Sequence, residues 1–275
     1  MTKKNIEHLT EMSRLLRRDV VTMVHHAGDG HPGPALSVAD IVTALYFDIM
    51  KFDPSRPDWP GRDRLILSKG HSCPTVYAAL ARLGFFSEEI LPSLRSLGSI
   101  LQGHPDMKKT PGIDMTTGSL GHGIAVGAGM AAASYLTGEK YWVYVITGDG
   151  ELNEGIVWEA AQTAAHRHLS SLVVFVDHNG FQSDGPLAEV SGLVAIPEKF
   201  KVFGWHVQEI DGHNFTEILQ ATKRAQSERD RPSIIVAHTI KGKGVSFMEG
   251  DNSWHKRVPT ADELKTALEE LGGSQ

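Results

Sequence analysis

The feature that most constrains the fold is a regular alternation in the second half of the chain. Apolar runs such as YWVYVITG, SLVVFVD and SIIVAHT are separated by helical segments such as IVWEAAQTAAHRH and FTEILQATKRAQSE. A strand that is apolar along its length is buried on both faces, and a helix between two such strands makes them parallel. The sequence therefore predicts an α/β fold, a parallel sheet with helices on both faces, with ligands bound beyond the carboxyl ends of its strands.

The first half of the chain predicts further elements around this sheet. An amphipathic helix is expected to end at Gly28, because apolar residues recur at helical spacing before it. These residues are Leu9, Met12, Leu16, Val20 and Met23. Ser37 is expected to cap a second helix through VADIVTALYFDIM, and RLILSKG to form a short buried strand. Near the end of the chain, Thr260 and Glu263 have the spacing of a capping box.

Composition excludes several classes of protein. The net charge is −6 and the basic residues are scattered, which argues against a nucleic-acid groove. The single cysteine, Cys73, cannot form an intrachain disulfide and indicates a reducing compartment. The N-terminus lacks the apolar core of a signal peptide, and no stretch is apolar enough to span a membrane. We therefore expect a cytoplasmic protein with one domain over residues 1–275.

Two polar residues follow neighbouring strands of the predicted sheet. Asp149 lies between Gly148 and Gly150 after YWVYVIT, and Asn179 follows SLVVFVD thirty residues later. An Asp oxygen, an Asn oxygen and a backbone carbonyl form an all-oxygen half-shell that suits Mg²⁺ or Ca²⁺, and Mg²⁺ commonly adds phosphate oxygens. The glycines allow backbone N–H groups to approach such a ligand, and the helix from Glu154 adds its positive end. The alternative is a helix-capping turn in which Asp149 only satisfies backbone donors.

These residues carry a resemblance to a known family. GDG followed by a strand-terminal Asn is the thiamine diphosphate-binding pattern, and the whole chain resembles the N-terminal, diphosphate-binding half of transketolase. Eight ordered motifs carry the match, namely GDGHPGPALSVADI, LSKGHSCPTVYAAL, GHPD, TTGSLGHGIAVGAGMA, GDGELNEG, DHNGFQSDG, GWHVQEIDGHN and HTIKGKGVSFMEGDNSWH. Because the motifs occur in order at the family spacing, they are far more specific than GDG alone.

The resemblance implies a thiamine diphosphate site with Mg²⁺, or with Ca²⁺ or Mn²⁺ in its place. Asp149, Asn179 and the carbonyl of Phe181 would bind the ion. His71 and Lys241 would lie at the diphosphate with Gly148 and Gly150, while Gly118 and Leu120 would contact the aminopyrimidine ring. Gln182 would reach the cofactor or be a plain loop amide. For Glu154 the resemblance favours a carboxylate at a subunit contact, connected to a second active site, over a solvated acid.

Three further histidines are implied in catalysis. His104 would bind the terminal hydroxyl of the donor sugar, and His31 and His255 would lie near the oxygens that exchange protons as a carbon–carbon bond breaks. An imidazole can exchange protons near neutral pH, and these histidines lie in loops rather than on apolar helix faces. Two residues depart from the family pattern and have no assigned role: His122 stands where many relatives have Gln, and Lys256 where Gly is usual.

The resemblance also implies a partner. In transketolase, the Glu that activates the cofactor and an aromatic residue that stacks on its pyrimidine come from a second domain, which this sequence lacks. We therefore expect one subunit of a split transketolase, active with a separate C-terminal subunit in an α2β2 assembly. It would transfer a two-carbon ketol unit from a ketose phosphate to an aldose phosphate. The sugars stay open between pentose phosphates and a branched sugar such as apulose 4-phosphate.

Two alternatives compete with this interpretation. The chain could be a subunit of another thiamine diphosphate enzyme, of the 2-oxo-acid decarboxylase or dehydrogenase type, or a non-catalytic cofactor-binding protein. GHPG together with GHPD favours a polyhydroxylated substrate over a 2-oxo acid, because these histidines suit hydroxyl groups. The intact metal and histidine motifs favour an enzyme.

Overall fold

A five-stranded parallel sheet forms the centre of the molecule. The computed structural model describes residues 3–272, so the outermost ends of the expected 1–275 domain lie outside the described residues. The described residues contain seven strands: β1 (Arg64–Leu67), β2 (Val143–Gly148), β3 (Leu172–His178), β4 (Phe181–Gln182), β5 (Gly185–Pro186), β6 (His206–Asp211) and β7 (Ser233–His238). The sheet order is β1-β2-β3-β7-β6 with all neighbours parallel, and β4 and β5 form a separate antiparallel pair. The predicted fold class is confirmed.

Helices surround this sheet. They are α1 (Lys3–Ala27), α2 (Pro32–Ser37), α3 (Ala39–Ala44), α4 (Cys73–Arg82), α5 (His122–Thr137), α6 (Gly155–His166), α7 (Leu187–Val190), α8 (Ile196–Val202), α9 (Phe215–Ser227) and α10 (Ala261–Glu270). A π-helical turn, Leu45–Ile49, continues α3. None of the helices in this described part is long and apolar enough to cross a membrane.

The two faces of the sheet belong to two separate apolar clusters. In β3, Val173 and Phe175 pack with residues of α1, α3, α4 and α9, whereas Val174 and Val176 pack with residues of α5, α6 and α8. Successive side chains of a strand point to opposite faces. Burial on both faces is therefore the reason that the strand is apolar along its whole length.

Local signals were correct at the ends of two helices and wrong at a third. Helix α1 ends just before Gly28, which has a φ of +63°, and the capping box of Thr260 and Glu263 begins α10. The predicted cap at Ser37 is wrong, because Ser37 is the last residue of α2. Its Oγ atom donates to the carboxylate of Asp177 at 2.6 Å. A buried carboxylate needs donors, and Ser37 supplies one from the last turn of α2, while Val38 takes the N-cap position of α3.

Close packing of α5 against the sheet gives a test with a matched control. A Cβ atom at Gly127 would lie 2.6 Å from Cγ2 of Val145, whereas at Gly129 it would meet nothing within 4 Å. We expect Gly127→Ala to lower the free energy of unfolding by about 1–3 kcal/mol, because the added methyl group overpacks the core. Gly129→Ala should raise it by up to about 1 kcal/mol, since alanine favours helix. Urea unfolding measures both, and equal effects would contradict this packing.

Candidate functional site

A cavity of about 680 Å³ lies at the carboxyl edge of the sheet, where β2 and β3 end. Every residue that was assigned to a site from the sequence lines this cavity. They are His31, His71, His104, Gly118, Leu120, Gly148, Asp149, Gly150, Glu154, Asn179, Phe181, Gln182, Lys241 and His255. The parallel sheet brings them together because its strands all end at the same edge.

Asp149 joins the loops that follow β2 and β3. Its side chain is 2% exposed. The Oδ1 atom accepts the N–H of Gly150 at 2.8 Å, and Oδ2 accepts the N–H of Gly180 at 2.7 Å. His178 contacts Oδ2 through Nδ1 at 3.0 Å, and this hydrogen bond raises the pKa of His178. Because Gly180 directly follows Asn179, the two candidate metal ligands lie on adjacent loops.

Asn179 is held in one orientation by its neighbour. Its Nδ2 atom donates to Oδ2 of Asp177 at 2.9 Å, and its Oδ1 atom accepts the N–H of Phe181 at 3.1 Å. An ionised carboxylate only accepts hydrogen bonds, so the amide nitrogen must face Asp177 and the amide oxygen must face away from it. The oxygen is thus available as a hard ligand on the side away from Asp177.

Asp177 lies at the centre of a buried network that was not predicted from the sequence. Its carboxylate is fully buried and pairs with the ammonium group of Lys69, which also donates to the carbonyl of Pro34 at 3.0 Å. Ser37 and Thr239 donate to the same carboxylate. Burial alone would raise the pKa of Asp177, but Lys69 and these hydrogen bonds outweigh it and hold the pKa below its usual value. The sequence feature that could have predicted this pair is the presence of opposite charges, Lys69 and Asp177, at the ends of two apolar strands.

Glu151 is the centre of a second buried hydrogen-bond network. Its carboxylate accepts the N–H of Gly121 at 2.7 Å and the N–H of Gly148 at 3.0 Å, and Ser68 donates to it as well. Burial raises the pKa of Glu151. These hydrogen bonds connect the end of β2 with the start of α5, and so fix the loop that carries Gly118 and Leu120.

The glycines around Asp149 provide space rather than free donors. The N–H groups of Gly148 and Gly150 were expected to face a ligand, but they donate to Glu151 and Asp149 instead. A Cβ atom at Gly150 would lie 2.8 Å from Cβ of Gln182. The absence of a side chain there allows the β4 segment to approach the Asp149 loop closely.

Three histidines form a compact cluster. The ring centroids of His31 and His71 lie 5.1 Å apart, and His255 lies 5.4 Å from each. Burial, together with nearby cations, lowers the pKa of His31 to about 4 and that of His255 to about 3, and it holds the pKa of His71 well below its usual value. Burial and Arg95 also lower the pKa of His104. Neutral imidazoles therefore line this wall at pH 7, each able to donate and to accept a proton.

Lys241 fixes the tautomer of His255. Its Nζ atom lies 3.0 Å from Nδ1 of His255 and donates to Oδ1 of Asn252 at 2.6 Å. Burial and the charge of Lys69 lower the pKa of Lys241 to about 8, so the ammonium form prevails at neutral pH. Because an ammonium group can only donate, Nδ1 of His255 accepts and its proton is on Nε2.

The candidate metal ligands, Asp149, Asn179 and the carbonyl of Phe181, suit a small hard cation. Three donors contact the carboxylate of Asp149, which leaves roughly one of its about four lone-pair positions for an ion. Asn179 offers an oxygen of fixed orientation, and Phe181 offers a carbonyl group. No cluster of three or more His, Cys, Asp or Glu side chains that could hold a metal exists in residues 3–272, and this set has one carboxylate. Phosphate and water oxygens would complete an octahedron.

Two cations border the cavity next to the histidines. Arg95, which has a φ of +63°, pairs with Asp29 at 2.8 Å, and Nζ of Lys256 lies 3.9 Å from the other oxygen of Asp29. Both cations contribute to lowering the pKa of His31, which burial lowers most. The Nδ1 atom of His31 is buried and lacks a hydrogen-bond partner within the described part of the chain. Lys256, one of the two residues that depart from the family pattern, lines the cavity.

Comparisons with known proteins agree along nearly the whole chain. The family model described as "Transketolase, thiamine diphosphate binding domain" matches residues 7–275. A 6-deoxy-6-sulfo-D-fructose transketolase subunit, SqwG, from Clostridium sp. (strain MSTE9) is 45% identical over 271 residues, with 98% of each chain covered. An apulose-4-phosphate transketolase subunit from Phocaeicola vulgatus is 40% identical, with 97% of this chain and 94% of the relative covered.

Solved structures show the same fold within longer chains. Transketolase from Campylobacter jejuni superposes with a TM-score of 0.92 at 31% identity, and covers 99% of this chain and 43% of its own. Transketolase from Leishmania mexicana gives 0.91 at 31% identity, with 96% and 41% covered. The chain thus spans less than half the length of these transketolases, but nearly the full length of the two subunits.

The neutral histidine cluster predicts acid sensitivity. In the unfolded chain these histidines regain a pKa of about 6.5, so the unfolded state binds more protons as the pH falls below that value. The free energy of unfolding should decrease from pH 6.5 towards pH 4, by up to about 1.4 kcal/mol per pH unit for each histidine. Urea unfolding across this range should show a shallower loss for His255→Asn. The exposed control His26→Asn should match the wild type, and a parallel loss in all three proteins would contradict the prediction.

Proposed function

The chain belongs to the transketolase family, and from that premise we propose that it is the diphosphate-binding subunit of a two-subunit transketolase. One observation carries the proposal: a single cavity gathers every residue implied in metal, cofactor and sugar binding. The two relatives that match this chain end to end are themselves named as subunits. We further propose that residues 1–275 form one domain and that the C-terminal subunit contributes the activating Glu and the stacking aromatic residue, in an α2β2 assembly.

In this proposal the loops after β2 and β3 bind the diphosphate end of the cofactor. Asp149, Asn179 and the Phe181 carbonyl hold Mg²⁺, and the ammonium group of Lys241 and the ring of His71 face the diphosphate. Gly118 and Leu120 contact the aminopyrimidine, and Gln182 approaches the ring from the β4 side. When bound, thiamine diphosphate supplies a thiazolium ring that stabilises a carbanion. Glu154, exposed in the single chain, contributes at a subunit contact.

The histidines act on the sugar. His104 binds the terminal hydroxyl of the donor, while His31 and His255 lie beside the oxygens that change protonation as the carbon–carbon bond breaks. The depressed pKa of His31 supports this role, because a neutral imidazole accepts a hydroxyl proton that an imidazolium ion could not. The proton of His255 is on Nε2, which leaves that atom as a donor towards a sugar oxygen.

We propose that the substrate is a ketose with an anionic end group. Arg95 and Lys256 border the cavity and share a single carboxylate, Asp29, so one positive charge is left uncompensated among these three groups. The names of the two end-to-end relatives specify a sulfonated sugar and a sugar phosphate. A tetrahedral oxyanion at the end of the sugar is common to both, and its attraction to two cations is the shared recognition chemistry.

The activity can be tested by reconstitution. We expect the chain to co-purify with its complementary partner, and to transfer a two-carbon unit to an aldose phosphate only when both subunits, thiamine diphosphate and Mg²⁺ are present. Donor assays would compare 6-deoxy-6-sulfofructose, apulose 4-phosphate and xylulose 5-phosphate. Ketol transfer by the chain without a partner would contradict the two-subunit proposal. Decarboxylation of 2-oxo acids by the complex would favour the alternative enzyme class.

The metal assignment has its own test. Asp149→Ala should weaken the affinity for thiamine diphosphate in the presence of Mg²⁺ by at least about a hundredfold, because it removes the only carboxylate among the three candidate metal ligands. Isothermal titration calorimetry of the complex measures this affinity. Asp184→Ala is the matched control, since Asp184 is exposed and lies three residues beyond Phe181. Unchanged affinity in Asp149→Ala would refute the metal site.

A further inference from the structure

His213 connects a buried ion pair to the loop that carries Lys241. Its Nδ1 atom lies 2.7 Å from Oδ2 of Asp40, and its Nε2 atom lies 2.8 Å from the backbone nitrogen of Ile240. A backbone N–H only donates, so Nε2 must accept and the proton of the imidazole must be on Nδ1, directed at the carboxylate. The ring is thus held at both nitrogens in one tautomer, with Ile240 next to Lys241 in the sequence.

The carboxylate behind His213 is itself rigidly held. Asp40 and Arg17 form an ion pair at 2.6 Å, and both side chains are 8% exposed. Ser13 also donates to Asp40. Burial alone would raise the pKa of Asp40, but Arg17 and His213 outweigh it and hold the pKa well below its usual value. A buried, ionised carboxylate with several donors is a fixed point from which a neighbouring ring can be oriented.

Arg17, the partner of Asp40, makes a second contact with the loop that carries Lys241. Nε of Arg17 donates to the carbonyl of Lys243 at 2.9 Å. The backbone of the loop is therefore held by the imidazole at residue 240 and by the guanidinium group at residue 243, on either side of Lys241. The Lys241 side chain is almost completely buried and has its two partners, Asn252 and His255, within 3.0 Å. A shift of this backbone would move the ammonium group away from both.

We propose that His213 is a positioning residue of the cofactor site, which holds the Ile240–Lys243 backbone so that the Lys241 ammonium group faces the cavity. This inference rests on the proposed function in one respect, namely that the cavity binds thiamine diphosphate. His213 does not line the cavity, and its effect on the ligand is exerted through the hydrogen bond to Ile240.

Two amide substitutions separate the two bonds of His213. A glutamine amide reaches the place of Nε2, so His213→Gln keeps an acceptor for the Ile240 N–H and loses the donor to Asp40. An asparagine amide reaches the place of Nδ1, so His213→Asn keeps the donor and loses the acceptor. If His213 only stabilised the Asp40 ion pair, His213→Asn would be the better tolerated variant. If His213 positions the loop, His213→Gln is the better tolerated variant.

The first measurement is amide hydrogen exchange of the chain, which needs no ligand. We expect the Ile240 amide to exchange about tenfold faster in His213→Asn than in His213→Gln, because a hydrogen bond of ordinary net strength is lost. The second is calorimetric binding of thiamine diphosphate with Mg²⁺ by the two-subunit complex, which should be about tenfold weaker in His213→Asn and within about twofold of wild type in His213→Gln. His206→Gln, a partly buried histidine at the other end of β6, is the matched control and should change neither quantity.

Equal behaviour of the two His213 variants, or better retention of exchange protection and affinity by asparagine, would overturn the inference. A wild-type complex that binds no thiamine diphosphate would overturn the proposed function instead. In that case the exchange measurement still decides whether His213 holds the loop. Thermal unfolding of both variants, recorded alongside, separates a local effect on the loop from a general loss of stability.

Discussion

The site depends on one buried charge, the carboxylate of Asp177 at the end of the central strand. Removing an ionised carboxylate from water costs several kcal/mol unless partners compensate it. Here the partners come from four different segments: Lys69 after β1, Ser37 at the end of α2, Thr239 after β7 and Asn179 in the β3 loop. Because each of these must reach the same two oxygens, the charge fixes the relative positions of the segments that form the cavity wall.

This arrangement has electrostatic consequences beyond its own hydrogen bonds. It orients the amide of Asn179, and it brings the cation Lys69 beside the histidines. Lys69 contributes, after burial, to the low pKa values of His71 and Lys241. At neutral pH, Lys241 keeps its charge beside the place proposed for the diphosphate, whereas the histidines are neutral. The buried Lys69–Asp177 pair thus orients Asn179 and favours the neutral form of His71 and His255.

The sequence predicted the fold well because a sheet buried on both faces leaves continuous apolar runs such as that of β3. That the candidate site residues lie together was also predictable, since strand-end residues such as Asp149 and Asn179 must share an edge. The predictions that were wrong or missing concern residues whose roles depend on contacts with distant parts of the chain. Ser37 has the character of a helix cap, but it lies in the last turn of α2 and donates to Asp177, 140 residues away. The roles of Lys69 and Glu151 were missed for the same reason.

The structure also separates residues that can vary from those that cannot. On the inner wall, side chains such as Asp177 and Glu151 are buried and accept several hydrogen bonds, so replacing one would leave buried donors unpaired at a cost of about 1–3 kcal/mol each. At the cavity border, Lys256 has a side chain that is 61% exposed and makes one long ion pair. An exposed ion pair contributes little to stability, so this position can change with the substrate at almost no cost to the fold. Under the proposed function, differences in sugar preference are therefore expected at Lys256 and its neighbours, while the inner wall stays the same.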